Sequence, residues 1–135
     1  MSLDENKGLV RRFFMAMGQG DRQGLMAMLA EDARWVIPQA APAHAGTHVG
    51  RMKIVDIMLG SMPKMFMPGT TRMEIHAMIA DGDYVVVPAR VRATTPQARQ
   101  YDNEYVFIFR IADGLVRELH EHLDTRYAAS FFVFD

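Results

Sequence analysis

The stretch YDNEYVFIFRIADGLVRELHEHLDT, residues 101–125, reads as two strands folded on a turn at Asp113-Gly114. Side chains alternate across a strand, so Tyr101, Asn103, Tyr105, Phe107 and Phe109 share one face of the first strand. On the second strand His120, His122 and Asp124 share a face, while Leu119, Glu121 and Leu123 take the other. A titratable row laid on a sheet beside aromatic residues is what a small-molecule pocket needs, for acid–base work or for ligand binding. The direction in which the sheet curls decides whether that row faces in.

Upstream, the pattern continues as strands. Thr71 to Ala80 and Tyr84 to Thr95 flank Asp81-Gly82-Asp83, a hairpin signal. The N-terminal half has helical spacing instead. Ser2 and Glu5 are placed as a capping box, Leu9, Val10, Phe13, Phe14 and Met17 form an apolar stripe, and Gly18 and Gly20 end it. Asp21 caps a second helix with Leu25, Met28 and Leu29 on one side, and Arg51 to Met62 makes a third. Between them Trp35 and Ile37 mark a short strand ended by Pro38, followed by an Ala-, Pro-, His- and Gly-rich loop. The apolar tail Phe131, Phe132, Val133 and Phe134 is expected to pack on the sheet or on a partner subunit. Three N-terminal helices on a strongly curved antiparallel β-sheet make an α+β fold, and residues 1–135 form one domain.

Composition narrows the function classes. Fifteen basic residues against 16 acidic ones give a net charge of -1, without the basic patch of a nucleic-acid binder. The absence of cysteine excludes a disulfide framework, a thiolate nucleophile and Cys-ligated zinc. No apolar run is long enough to cross a bilayer and the N-terminus has no signal core, so a cytoplasmic location is expected. Twelve methionines, concentrated between Met52 and Met78, read first as adaptable core filler and second as a deformable pocket wall.

Several motifs together carry a resemblance. They are Gly20-Asp21 with Leu25-x-x-x-Leu29, Asp32-x-x-Trp35-x-x-Pro38, Gly46-x-x-x-Gly50, Tyr101-x-Asn103-x-Tyr105-x-Phe107, Asp113-Gly114 and Leu123-Asp124-Thr125. In this order and spacing, over nearly the whole chain, the sequence resembles the SnoaL-like branch of the nuclear transport factor 2-like superfamily. These are cone-shaped α+β barrels that include ketosteroid isomerases. The resemblance implies a pocket open at one end, a homodimer formed through the outer sheet face, and neither cofactor nor metal. It also implies a fold of many chemistries, among them isomerases, cyclases and epoxide hydrolases, and of members with none. The steroid isomerase roles are vacant here, because Phe13, Phe14 and Met17 stand where its tyrosine would be and Val36, Ile37 and Pro38 where its base would be. Asp124 lies in the region of the late acid–base aspartate of the cyclases, and Arg90 or Arg92 with Asp124 matches part of an epoxide-hydrolase array.

The residues singled out follow from these two readings. His122 and Asp124 are the expected catalytic pair, a carboxylate raising the basicity of an imidazole. Asn103 and Tyr105 are expected to donate hydrogen bonds to a developing oxyanion, with Trp35, His120 and His44 also contacting substrate. The expected substrate is an apolar carbonyl-bearing or epoxide-like metabolite, handled by cofactor-free isomerase, cyclase or hydrolase chemistry. The alternative is a non-catalytic module that binds a hydrophobic ligand or dimerises. His120-x-His122-x-Asp124 has in addition the spacing of metal ligands on a strand, a reading the resemblance does not support. Arg90 and Arg92 are expected to pair with Glu104 and Glu118.

Overall fold

A computed structural model describes residues 2–132; Val133 and Phe134 of the apolar tail lie outside the described residues. The chain opens with α1 (Leu3–Gln19) and α2 (Arg22–Met28), enters β1 (Leu29–Ile37) and β2 (Gly46–Val49), and continues into α3 (Arg51–Leu59) and a 3-10 turn at Pro63–Met65. Strands β3 (Arg72–Ile75), β4 (Ile79–Asp81), β5 (Tyr84–Thr94), β6 (Gln100–Ala112) and β7 (Leu115–Leu123) follow, and α4 (Thr125–Ala129) comes last.

Local chemistry sets most of these boundaries. The Ser2 hydroxyl accepts from the Glu5 amide while the Glu5 carboxylate accepts from the Ser2 amide, which completes the capping box of α1. Gly20 ends that helix in the left-handed region at φ 66°. Asp113 and Gly114 both have positive φ, 53° and 74°, as a two-residue primed hairpin turn requires. Leu29, expected in the second helix, instead starts β1. It is 2% exposed and pairs with Val116, so sheet burial overrides its helical spacing. The long strand expected over Thr71 to Ala80 is interrupted after Ile75 and resumes at Ile79.

The sheet has seven strands in the order β2-β1-β7-β6-β5-β3, with β4 added on β5. It is not purely antiparallel, because β1 runs parallel to β7. The sheet curls without closing, and α1 lies against its inner face, where Phe13 meets Phe109 edge-on at 5.4 Å and Phe14 meets Phe107 at 5.2 Å. Inner positions of β5, β6 and β7, among them Val85, Val87, Phe109, Ile111 and Leu119, form the core with Leu9, Val10, Ile54 and Val55 of the helices. No helix among the described residues is long and apolar enough to cross a membrane.

One irregularity controls what the core contains. At the hairpin turn Ala112 pairs with Leu115 and Ile111 with Val116, but the next pair is Arg110 with Glu118. Arg117 is therefore an extra residue, a β-bulge. Beyond it Phe107 opposes Glu121 and Tyr105 opposes Leu123. Without it those aromatic residues would oppose His120 and His122, since a one-residue slip turns every side chain to the other face. The Arg117 guanidinium holds the bulge by donating from Nε to the Ala112 carbonyl at 3.2 Å and from Nη2 to Asp113 at 3.3 Å. Replacing Arg117 with alanine keeps the residue count and is expected to cost about 1 kcal/mol for these bonds. Deleting Arg117 drives Leu119 and Leu123 outward and both histidines inward, so no cooperative unfolding transition is expected. Urea denaturation of the two variants beside the parent checks both outcomes.

Candidate functional site

The inner surface of the cone carries a small polar cluster within an apolar wall. From β6 come Tyr101, Asn103 and Tyr105, from β7 Glu121, from β1 Trp35, and from β2 His48, paired directly opposite Trp35. Trp35 is fully buried, Tyr101 1% exposed, Asn103 2% and Glu121 8%. Asn103 Nδ2 donates to the Tyr101 hydroxyl at 2.8 Å, and the Tyr101 and Tyr105 hydroxyls lie 2.7 Å apart. Phe107 stacks on Tyr105 and separates it from Phe14, while Phe66, Tyr127 and Phe131 surround the Tyr101 ring.

Glu121 is the exceptional member. Its cross-strand partner is Phe107, and burial pushes its carboxyl pKa up to about 7. The Trp35 indole N–H opposes this rise, yet it reaches no acceptor with full hydrogen-bond geometry and stays an unpaired buried donor. The indole N–H faces the carboxyl at less than full hydrogen-bond geometry. Burial likewise raises the Tyr105 phenol, helped by Tyr101 and by the charge of Glu121, and burial raises Tyr101. Both phenols therefore stay protonated at neutral pH.

The expected catalytic pair lies elsewhere. His122 is exposed and points to the outer face, opposite Val106. Asp124 is exposed beyond the end of β7, where its Oδ1 accepts from the Tyr127 amide at 3.0 Å and caps α4. His122 and Asp124 thus do not form the hydrogen-bonded pair expected of them. Both border an open outer groove of about 400 Å³ together with His76, Glu104 and Val106. His120 is also on the outer face and lies 2.6 Å from Glu118, which its hydrogen bond holds below the usual carboxylate range.

Trp35, Asn103 and Tyr105 do come together inside. His44 sits in the loop before β2, its Nε2 3.0 Å from the Ser61 hydroxyl, and burial lowers its pKa. Arg90 pairs with Glu104 as expected and more closely with Asp102, at 2.6 Å; Glu118 pairs with Arg110 and His120 instead. No group of three His, Asp or Glu side chains suited to a metal ion occurs among the described residues. The alternation pattern set Glu121 on the face away from the histidines but gave it no role. Its signal was its place between Leu119 and Leu123, two apolar residues whose own burial carries Glu121 inward.

A curled sheet wrapped by helices around buried carboxyl, phenol and indole groups defines an α+β cone with a polar interior. Residues 10–119 match the model of the SnoaL-like domain, and the chain belongs to that family. Among solved structures it is similar to an NTF2-like protein of Burkholderia xenovorans LB400, with 29% identity over 96% of this chain and 97% of that one and a TM-score of 0.79. It is also similar to an NTF2-like protein of unknown function from Burkholderia pseudomallei K96243, with 24% identity, 99% and 100% coverage and a TM-score of 0.85. TerC, co-crystallised with polyporic acid, shares the fold at 21% identity, 94% and 97% coverage and a TM-score of 0.83. No curated protein matches the chain.

The Glu121 carboxyl makes stability depend on pH. Its folded pKa of about 7 lies above the unfolded value of 4.5, so the folded state binds more protons between these limits and stability falls as pH rises across them. Glu121→Gln stays neutral throughout. Relative to the parent it is expected to match at pH 4 and to gain on the order of 3 kcal/mol by pH 8. Parallel denaturation curves across that range check the slope; curves that stay a constant distance apart would place the carboxyl in solvent.

Proposed function

We propose that this protein is a small-molecule enzyme whose acid–base group is Glu121, acting on an apolar carbonyl compound held inside the cone. The observation that carries this reading is a buried carboxyl group raised to about 7, with no formed ion pair, beside a phenol whose ionisation burial disfavours. A general base works best with a pKa near the operating pH, and burial is the usual way to bring a glutamate there.

The sheet register supplies the spacing. Glu121 opposes Phe107, and Tyr105 is the next inward residue along β6, so the two are diagonal neighbours across the strands. Such positions have Cβ atoms about 7–8 Å apart, within joint reach of one small ligand for long side chains. The carboxylate takes the proton from the carbon next to the carbonyl, and the Tyr105 hydroxyl donates to the oxygen as it becomes an enolate. Returning the proton to another carbon gives isomerisation; attack of the enolate carbon on a second carbonyl gives ring closure. Phe14, Phe107 and Trp35 line the wall and exclude water, which strengthens both interactions. The co-crystallisation of TerC with polyporic acid supports a fold able to accommodate an organic ligand.

Deuterium exchange at the enolisable carbons of a panel of apolar ketones, followed by NMR in D2O, tests the reading. The parent is expected to exchange at least one ketone with a rate that rises with pH through about 7, as the base form of Glu121 appears. Glu121→Gln is expected to lose about 100-fold or more of that rate while still binding the ketone. Binding without exchange in the parent would make the protein a hydrophobic-ligand carrier, and unchanged exchange in Glu121→Gln would move the base elsewhere.

A further inference from the structure

We propose that His48 is a specificity-determining acceptor inside the cone, and that the compound bound there carries a hydroxyl group adjacent to its carbonyl system. The inference builds on the site proposed for Glu121 and names the chemistry of its ligand. It begins with a tautomer. His48 Nε2 lies 2.7 Å from the His44 carbonyl oxygen. A carbonyl only accepts, so Nε2 carries the proton and the neutral ring leaves Nδ1 as a bare acceptor. That Nδ1 is buried and has no partner.

Its position is fixed from both sides. On the sheet, His48 pairs opposite Trp35 at the β1–β2 junction, with ring centroids 5.5 Å apart. On the loop, His44 is held with a left-handed backbone at φ 56° and with its own Nε2 3.0 Å from the Ser61 hydroxyl. A non-glycine residue in that region stores strain, which the surrounding contacts must hold in place. What the strain secures is the aim of the His44 carbonyl, and hence which nitrogen of His48 is protonated. His44 is a positioning residue in this arrangement.

Among the interior groups, the His48 Nδ1 is a buried acceptor with no partner. Trp35 offers an indole N–H, His48 a ring nitrogen acceptor, and Glu121 a carboxyl that faces the indole. A plain ketone would accept from Trp35 or Tyr105 and leave His48 Nδ1 unmatched. A hydroxy ketone, an enol or a phenolic ketone supplies the missing donor. Buried polar groups left without partners are penalised, so a site built this way discriminates against an analogue lacking the hydroxyl.

The test uses protein labelled with nitrogen-15 at histidine and a series of aryl ketones in matched pairs, ortho-hydroxyacetophenone against its methoxy analogue and likewise for larger rings. In the free protein the His48 Nδ1 resonance is expected in the range of an unprotonated ring nitrogen. Hydroxy compounds are expected to shift it and to bind about tenfold or more tightly than their methoxy partners. His48→Phe should erase that preference, while His48→Asn, whose side-chain oxygen lies near the position of Nδ1, should restore part of it. The opposite tautomer, equal binding of both partners, or a series that leaves the resonance unmoved would each overturn the inference. Glu121→Gln separates the two proposals, because it should keep the hydroxyl preference while losing proton exchange. Exchange catalysed by the parent with no hydroxyl preference would overturn the role of His48 alone.

Discussion

The extra residue at Arg117 is the constraint on which the rest of the molecule depends. It shifts β7 by one position against β6 and thereby decides which half of that strand enters the core. Leu119 is buried as a result, and Glu121 travels inward with it. The neighbouring strand answers with an irregularity of its own between Leu29 and Arg34, where Glu31 and Asp32 turn outward. After it Trp35 aligns with Leu119, so the indole and the carboxyl reach the same region. Arg117 braces its own bulge by donating to the Ala112 carbonyl across the turn.

Charges are distributed unequally between the two faces of the sheet. Outside, Arg90, Arg92 and Arg110 meet Asp102, Glu104, Glu74 and Glu118 in pairs that remain wet and contribute little to stability individually. Inside, the Trp35 indole N–H faces the Glu121 carboxyl, and the His48 Nδ1 is buried without a partner. A fold selected only for stability would replace these by apolar groups, since unpaired buried polar atoms cost more than their absence. A carboxyl raised to about 7 beside an indole N–H without full hydrogen-bond geometry is the feature on which the proposed site rests.

Much of the architecture was legible because its signals are local. The capping box at Ser2 and Glu5, the Gly20 stop and the Asp113-Gly114 turn each act within a few residues. The shared face of Asn103 and Tyr105 was legible because strict alternation holds along β6 near them. The side taken by the histidine row was not legible, because the extra residue at Arg117 sets it and the turn signal does not reveal that residue. The only local trace of the bulge is the three-residue step from Val116 to Leu119 where two would continue the pattern. The parallel pairing of β1 with β7 and the meeting of His48 with Trp35 join distant parts of the chain, and no periodicity encodes them.

The polar chain on β6 also has an order of donors and acceptors. Asn103 Oδ1 accepts from the Glu104 amide at 2.8 Å, which fixes the side-chain amide so that Nδ2 must be the group facing Tyr101. Nδ2 donates in addition to the Asp124 carbonyl at 3.1 Å, so both ends of the side chain are held by backbone. The Tyr101 oxygen therefore accepts from Asn103. The Tyr105 hydroxyl lies 2.7 Å away, and their hydrogen bond lowers the Tyr101 phenol and raises that of Tyr105, as when Tyr105 donates to Tyr101. The Tyr101 oxygen thus accepts from both neighbours, and each bond in such a chain polarises the next. Asp124, whose carboxylate is engaged as a helix cap, thus bears on the interior through its carbonyl. It orients the amide that donates to the Tyr101 hydroxyl and so holds the phenol pair in place beside the interior.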